Sequence, residues 1–458
     1  MYSKNIYFIT ILFTHIFLFL FVNFIFCFQP DNDRSQFYDF GKRFYSENII
    51  LPTNTLDSID IVVLFRFSYS LLLFQKNSDN SFSSLPNFEF ELKNSAGIIK
   101  KRIIWTDTIL IFDYKESQEK MKYRFGYISS RIKNDDYNIF LNARNKDNST
   151  IIKQKISSIS KLDYKEGNYI SQPLFLYQDN QRGSSALHPF ILDGNISFSS
   201  KTSKMVLIAT YRNNNNDYYY FVTNSIEKEK KDVWDEYINF SGQSQATYAT
   251  INVSQEQKWK DINISIDPTN KITSSDSNLN FGILDIELFS EQLVPGQYSL
   301  ILVNTTTKDT IRKSFQVEWE HMPLALKKPK YALSIMYYIL TDSEYDAINI
   351  GSDNDIMRKI IAYWKKQDPT PFSPYNEAMV EYFTRADYAF FNFQTISEKD
   401  GAKTDRGKIY ILYGPPDKIE RKLVDSDAIE IWYYKKLIKE FYFQTKSTGV
   451  FKLIKINE

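Results

Sequence analysis

Along the first two-thirds of the chain, apolar and polar positions alternate. Phe88, Phe90 and Leu92 are separated by Glu89 and Glu91, and Tyr137, Ile139 and Leu141 repeat the spacing. That period gives a strand one apolar and one polar face. Asn94 to Gly97 and Asn145 to Ser149 supply the Asn, Asp, Ser and Gly that tight turns favour. A second region predicts strands at Met205–Tyr211, Tyr218–Val222, Ile262–Ile266, Leu284–Leu288 and Tyr298–Val303, with the Asn213–Asn216 run expected as a hairpin turn between the first two. Tyr137-x-Ile139-x-Leu141 leads through a polar turn to Thr150-Ile151, and Tyr298-x-Leu300-x-Leu302 leads likewise to Thr310-Ile311. Both have the form of the last hairpin of an immunoglobulin-like sandwich, a form that any β-hairpin shares.

From Pro323 the spacing of apolar positions changes to near 3.6 residues, which places a boundary at Glu320 to Lys330. Ile356, Ile360, Ile361 and Trp364 share one helical face, opened by Ser352 with Asp355 three residues on and closed by Asp368-Pro369-Thr370-Pro371. A longer helix is expected at Tyr375 to Phe393, with Met379, Phe383, Ala386, Phe390 and Phe393 as its core stripe. Four short strands follow, at Lys408–Tyr413, Ile429–Tyr434, Glu440–Gln444 and Val450–Ile454. The expected fold is multidomain: two antiparallel β-sandwich, immunoglobulin-like domains at 59–160 and 184–322, then an α+β domain at 323–458 of helices packed on a short antiparallel sheet. Residues 29–58 and 161–183 are expected as a lead-in and a linker.

Residues 1–28 carry an almost wholly apolar run, Ile6 to Phe28, after Lys4 and before Gln29-Pro30. This reads as an export signal cleaved near Phe28, with a retained membrane anchor as the alternative because the run approaches a bilayer span. Cys27, the one cysteine, offers an acylation site only behind the bulky Phe26. A chain cut after it has no disulfides, thiolate metal sites or cysteine nucleophile. At 458 residues the chain is long enough for several cores, and its 56 basic and 55 acidic residues leave no net field to draw nucleic acid. Aromatics make up 16% of residues against only 14 glycines, which suits Tyr- and Phe-rich strands.

The stretch Thr404-Asp405-Arg406-Gly407, continued by KIYILY and then Gly414-Pro415-Pro416-Asp417, stands out in the last domain. With Asp368-Pro369-Thr370-Pro371, Asn376-Glu377 and Glu430-Ile431-Trp432-Tyr433-Tyr434, it resembles the GWxTD domain of bacterial envelope proteins. The motif here reads Gly401-Ala402-Lys403-Thr404-Asp405, with Ala402 where the family has tryptophan. That resemblance implies a place in the cell envelope, periplasmic or at the outer membrane, and implies no reaction.

Only His15, His188 and His321 exist, and there is no phosphate loop, dinucleotide fingerprint or HExxH, so no cofactor, no metal and no catalytic residue is assigned. Asn376, Glu377, Arg385, Thr404, Asp405, Arg406 and Asp417 read first as cap and turn chemistry, with Asp405 expected to pair with Arg406 or Arg385. Gly407, Gly414, Pro415 and Pro416 complete the motif. Trp432, Tyr433 and Tyr434 beside Phe441-Tyr442-Phe443 form an aromatic sheet, its core half covered by helices and its alternate half, Tyr433 and Tyr442, free for contact. The expected role is non-catalytic binding or scaffolding of an envelope protein partner, with no nucleic acid and with membrane association only through an uncleaved N-terminal segment. Two alternatives stay open: a glycan hydrolase using Glu377 or Asp405 as acid or base beside Asp417, and a carbohydrate binder without catalysis.

Overall fold

Two sheets face each other in the first β region. A three-stranded antiparallel sheet joins Phe44–Pro52, Ser58–Ser68 and Tyr123–Lys133. A four-stranded one runs Thr150–Ile159, Tyr137–Arg144, Asn87–Lys93, Ile99–Thr106. Between them lie Ile59, Ile61, Val63, Phe65 and Phe67 from one layer and Phe88, Phe90, Leu92, Ile139 and Leu141 from the other. The first strand, Phe44–Pro52, falls inside the expected lead-in, which extends this sandwich toward the N-terminus. The computed structural model describes residues 43–458 except 54, 56, 120–121, 148, 163–168, 179–185, 200–202, 213–216, 225–238, 257–260, 269–278, 289–292, 425–426 and 446–448. The apolar N-terminal segment, including Cys27, therefore lies outside the described residues.

The second β region repeats the wiring of the first. Leu174–Gln178, Ser203–Arg212 and Leu279–Leu288 pair in that order in one sheet, as Phe44–Pro52, Ser58–Ser68 and Tyr123–Lys133 do in the first. Thr310–Glu318, Gly296–Asn304, Asp217–Asn224 and Asn239–Gln245 follow one another in the other sheet. An extra hairpin, Ala249–Glu256 with Asp261–Pro268, extends the first of these sheets. One expectation is corrected here. Strands Ser203–Arg212 and Asp217–Asn224 belong to different sheets, so the chain crosses between layers there; Asn213–Asn216 itself lies outside the described residues. A polar run fits a crossover as well as a hairpin, because both need only solvated backbone.

Both final hairpins share a detail. Tyr137 is the first residue of its strand and Tyr298 the third, and each hydroxyl donates to a carbonyl four residues upstream, Lys133 O at 3.1 Å and Val294 O at 3.0 Å. A buried phenol needs such an acceptor, and the bond fixes the corner where the chain enters the strand.

Past residue 322 the fold becomes helical. Five α-helices occur among the described residues: α1 (Pro329–Met336), α2 (Asp342–Ile348), α3 (Asp353–Lys365), α4 (Glu377–Asn392) and α5 (Asp405–Tyr413). The expected starts of α3 and α4 hold: Ser352 and Asp355 form a capping box, and Asn376 caps α4. Helices α1 and α2 add to the two that the apolar spacing predicts. A four-stranded antiparallel meander follows, Lys418–Val424, Asp427–Tyr434, Lys439–Thr445 and Phe451–Asn457.

The expected strand at Lys408–Tyr413 is a correction, since these residues are in α5. Thr404 caps that helix, and Gly414 at φ +78° ends it. Its buried residues Gly407, Ile409 and Ile411 fall two apart because α5 packs on two sides, against α4 and against strand Phe451–Asn457. Helix burial on two faces imitates the alternation of a strand. The strand that the sequence reading missed is Lys418–Val424, whose charged KIERKLV pattern offers little apolar face.

Residues Phe44–Glu458 form one compact unit. Tyr45, Ile49, Val62 and Leu64, on the outer face of the first sheet, share a core with Phe190, Leu192, Leu207 and Leu284 of the second region. Strand Ser58–Ser68 is thus covered on both faces, the reason its IVVLFRF stretch does not alternate. The helical domain docks through aromatic rings: Phe198 meets Trp319 at 5.2 Å and Tyr375 at 5.3 Å.

Candidate functional site

The Gly401-to-Gly407 segment turns twice within seven residues. Gly401 abuts the C-terminal end of α4, where a Cβ would strike the carbonyl of Ala389, and a Cβ on Gly407 would strike the carbonyl of Gly401. Only glycine lets three backbone segments approach so closely. Ala402 is fully buried at 0% exposure, and its carbonyl accepts from Tyr338 Oη at 2.9 Å. Thr404 Oγ1 accepts from Gly407 N at 3.0 Å and donates to Gly401 O at 2.8 Å, so one hydroxyl serves the helix start and the preceding turn.

Asp405 accepts from the backbone N–H of Leu453 at 2.8 Å. It therefore ties the first turn of α5 to the last strand. The expected pairing with Arg406 or Arg385 is corrected: Arg385 bonds Glu381 at 2.7 Å, one turn back on α4, and Arg406 turns to Glu430. Glu430 is 2% exposed and accepts from Arg421 Nε at 2.9 Å, from Trp432 Nε1 at 2.7 Å and from Arg406 Nη1 at 3.4 Å. The Arg406 guanidinium lies 4.1 Å from the Phe451 ring centre and 5.3 Å from that of Phe393. Burial lowers its pKa, and the Glu430 carboxylate opposes that shift.

Gly414 sits against Arg385, with an added Cβ 3.1 Å from the guanidinium carbon, and its carbonyl accepts from Tyr434 Oη at 2.8 Å. Pro415 and Pro416 then turn the chain into the meander, where Asp417 N donates to Tyr433 O at 2.9 Å. The Asp417 carboxylate accepts from Lys435 N at 2.7 Å and closes the far hairpin. Asn376 caps α4 through Met379 N at 2.8 Å and donates to Trp364 O at 2.7 Å, joining the end of α3 to the start of α4. Glu377 accepts from Thr370 Oγ1, within the Pro-rich turn.

Trp432, Tyr434, Phe441 and Phe443 are buried beneath the helices, with Trp432 ring contacts to Phe393 and Phe443 at 5.4 and 5.0 Å. The alternate face keeps Tyr433 and Tyr442 half-buried, their hydroxyls donating to Glu420 at 3.0 Å and Glu440 at 2.7 Å. The sequence reading missed Glu430 as a hub, although its two-residue spacing from Trp432 on a strand puts both on one face. It also missed Asp387, whose carboxylate accepts from Leu324 N at 2.6 Å and Ala325 N at 3.0 Å, and whose pKa burial pushes up to about 6. A mid-helix aspartate carries no local sign of a partner sixty residues away.

One surface groove of about 800 Å³ lies beside Lys204, Tyr248, Asp267 and Asp285, and another of about 720 Å³ beside Tyr433, Ile438 and Ile456. Neither is lined by Glu377, Asp405 or Asp417. Among the described residues, no cluster of three or more His, Cys, Asp or Glu could hold a metal, and no helix is long and apolar enough to cross a membrane.

The C-terminal segment that contains these interlocked residues, 298–454, matches the family model of the GWxTD domain. The chain carries a GWxTD domain. Its match begins in the last hairpin of the second β region, so the domain includes Gly296–Asn304 and Thr310–Glu318 in large part as well as the helices. No curated protein matches the chain. Among solved structures, it is similar to the C-terminal domain of the Streptococcus pyogenes antigen I/II-family protein AspA, at 7% identity over 60% of this chain and 100% of that one. The TM-score of that likeness is 0.15.

Proposed function

We infer that the chain is an exported envelope protein, periplasmic or at the outer membrane, whose GWxTD domain and β regions form a non-catalytic scaffold for a protein partner. Two immunoglobulin-like sandwiches precede the GWxTD helices, the second sharing its last hairpin with the matched domain. The repeated strand order of the sheets and the paired Tyr137 and Tyr298 corners support that finer reading of the fold. Such sandwiches present loops and edges while holding a rigid frame.

One observation carries the non-catalytic reading. Asp405 and Asp417 accept from backbone N–H groups and Glu377 from a turn hydroxyl, so each serves the fold at a helix or turn end. A general acid or base needs its oxygen directed at substrate instead. Replacing Asp405 with alanine is expected to cost about 1 to 2 kcal/mol, read as a lower urea midpoint, while Asp405→Asn, which keeps an acceptor, costs less. An Asp405→Asn protein of unchanged stability that has lost turnover of a glycan polymer would sink this reading. In crosslinked envelope fractions the full chain is expected to yield reproducible crosslinks from its GWxTD domain to one protein, and their absence counts against a scaffold.

A further inference from the structure

The hairpin between strands Asp427–Tyr434 and Lys439–Thr445 turns on Lys435-Lys436-Leu437-Ile438, a segment that neither the motif nor the scaffold reading uses. Lys435–Leu437 make one 3-10 turn, closed by Ile438 N donating to Lys435 O at 3.2 Å, and Asp417 accepts from Lys435 N at 2.7 Å. The tip is held at its base. All four of its residues are exposed, Leu437 at 44% and Ile438 at 80%. Ile438 also sits at φ +54°, where a β-branched residue is strained and glycine or asparagine is the ordinary choice. The fold gains little from either aliphatic side chain, so the pair points to a surface met outside the chain.

What surrounds the tip selects the partner. Tyr413 and Ile456, both exposed, stand at the same end of the domain: the Tyr413 ring lies 5.9 Å from that of Tyr434 and 5.2 Å from that of Phe441, and Ile456 pairs with Phe441 across the sheet. Ile456 and Ile438 line one groove. Lys435, Lys436 and Lys439 frame these apolar groups, and Lys418 lies across from Tyr433 on the next strand. Lys418 and Lys439 pair with Glu420 and Glu458, whereas Lys435 and Lys436 form no ion pair among the described residues. Protein interfaces are depleted in lysine. A bilayer with anionic headgroups takes both kinds of group, because aliphatic side chains enter the acyl boundary while lysines stay at headgroup level. Glu440 and Glu458 line the groove itself, so anionic headgroups are met at the tip and not inside it.

We propose that this hairpin tip docks the GWxTD domain on a bilayer surface that bears anionic phospholipid, with Leu437 and Ile438 entering the acyl boundary and Lys435, Lys436 and Lys439 meeting headgroup phosphates. The contact is separate from the apolar N-terminal segment and does not depend on the scaffold reading. Two aliphatic side chains and three lysines give reversible binding that salt weakens. The strain at Ile438 fits this role. Asparagine there relaxes the backbone but removes a group that enters the lipid.

Hydrogen exchange of the full chain tests the tip through the peptide 434–439, with and without vesicles. Exchange there is expected to slow on vesicles of equal parts phosphatidylglycerol and phosphatidylcholine and to keep its free rate on phosphatidylcholine alone. That contrast separates the tip from any tethering by the N-terminal segment. Ile438→Asn should raise the lipid concentration needed for half the effect roughly tenfold, the loss expected when one aliphatic side chain no longer leaves water. The double variant Lys435→Gln, Lys436→Gln should act in the same direction, as should added salt. Equal slowing on both vesicle types, or none on either, overturns the proposal. So does a folded Ile438→Asn protein, or the double lysine variant, that keeps the wild-type lipid dependence. Slowing that grows with protein concentration in the absence of lipid would assign the tip to a second copy of the chain and overturn it as well.

Discussion

At the residue scale, the motif's chemistry is spent on holding backbone. Gly407→Ala forces a Cβ onto the Gly401 carbonyl, a backbone atom that cannot swing away. That substitution is expected to destabilise by at least about 2 kcal/mol, read as a lower denaturant midpoint. Glu430→Ala leaves Arg406 buried without its counter-charge and Trp432 Nε1 without its acceptor. Its expected cost is about 3 kcal/mol by chemical unfolding, with Glu430→Gln milder because an amide oxygen still accepts. Asn376, Thr404 and Trp432 were legible because capping and alternation are local rules. Arg406 was not, since a charge chooses among partners that only folding brings near.

At the element scale, helix starts were easier to read than short apolar segments. The Ser352 and Asn376 starts depend on side chains three residues from the groups they satisfy, so sequence spacing contains them. KIYILY has no such internal arbiter. Its β-branched and aromatic residues favour a strand, but the Thr404 cap and packing between α4 and the last strand make it a helix. The hairpin after Tyr434 contains a different conflict. Ile438 closes it at φ +54° while 80% exposed, so it bears backbone strain without compensating burial. Ile438→Asn, a residue that tolerates this conformation, is expected to stabilise the protein by about 1 kcal/mol, seen as a raised thermal midpoint.

At the scale of the whole molecule, buried carboxyl groups set the pH response. Burial raises Glu47 to about 7 and Asp387 to about 6, each above its unfolded value. The folded state therefore holds more protons in that window, and both contributions are fully present below about pH 4 and lost as pH rises to 7. Comparing urea midpoints at pH 5 and pH 8 in wild type and in a Glu47→Gln, Asp387→Asn double variant isolates them. The wild type should lose relative to the double variant as pH rises, by up to a few kcal/mol. The apolar alternation by itself determined that two sheet-rich regions precede a helical one, because side-chain period follows from backbone geometry within a few residues. Tertiary structure alone decided that strand Ser58–Ser68 is buried on both faces, that Arg406 answers Glu430, that KIYILY is a helix and that Glu47 enters a distant loop. Each of those outcomes is fixed by groups far apart in sequence, whose meeting depends on how completed layers stack.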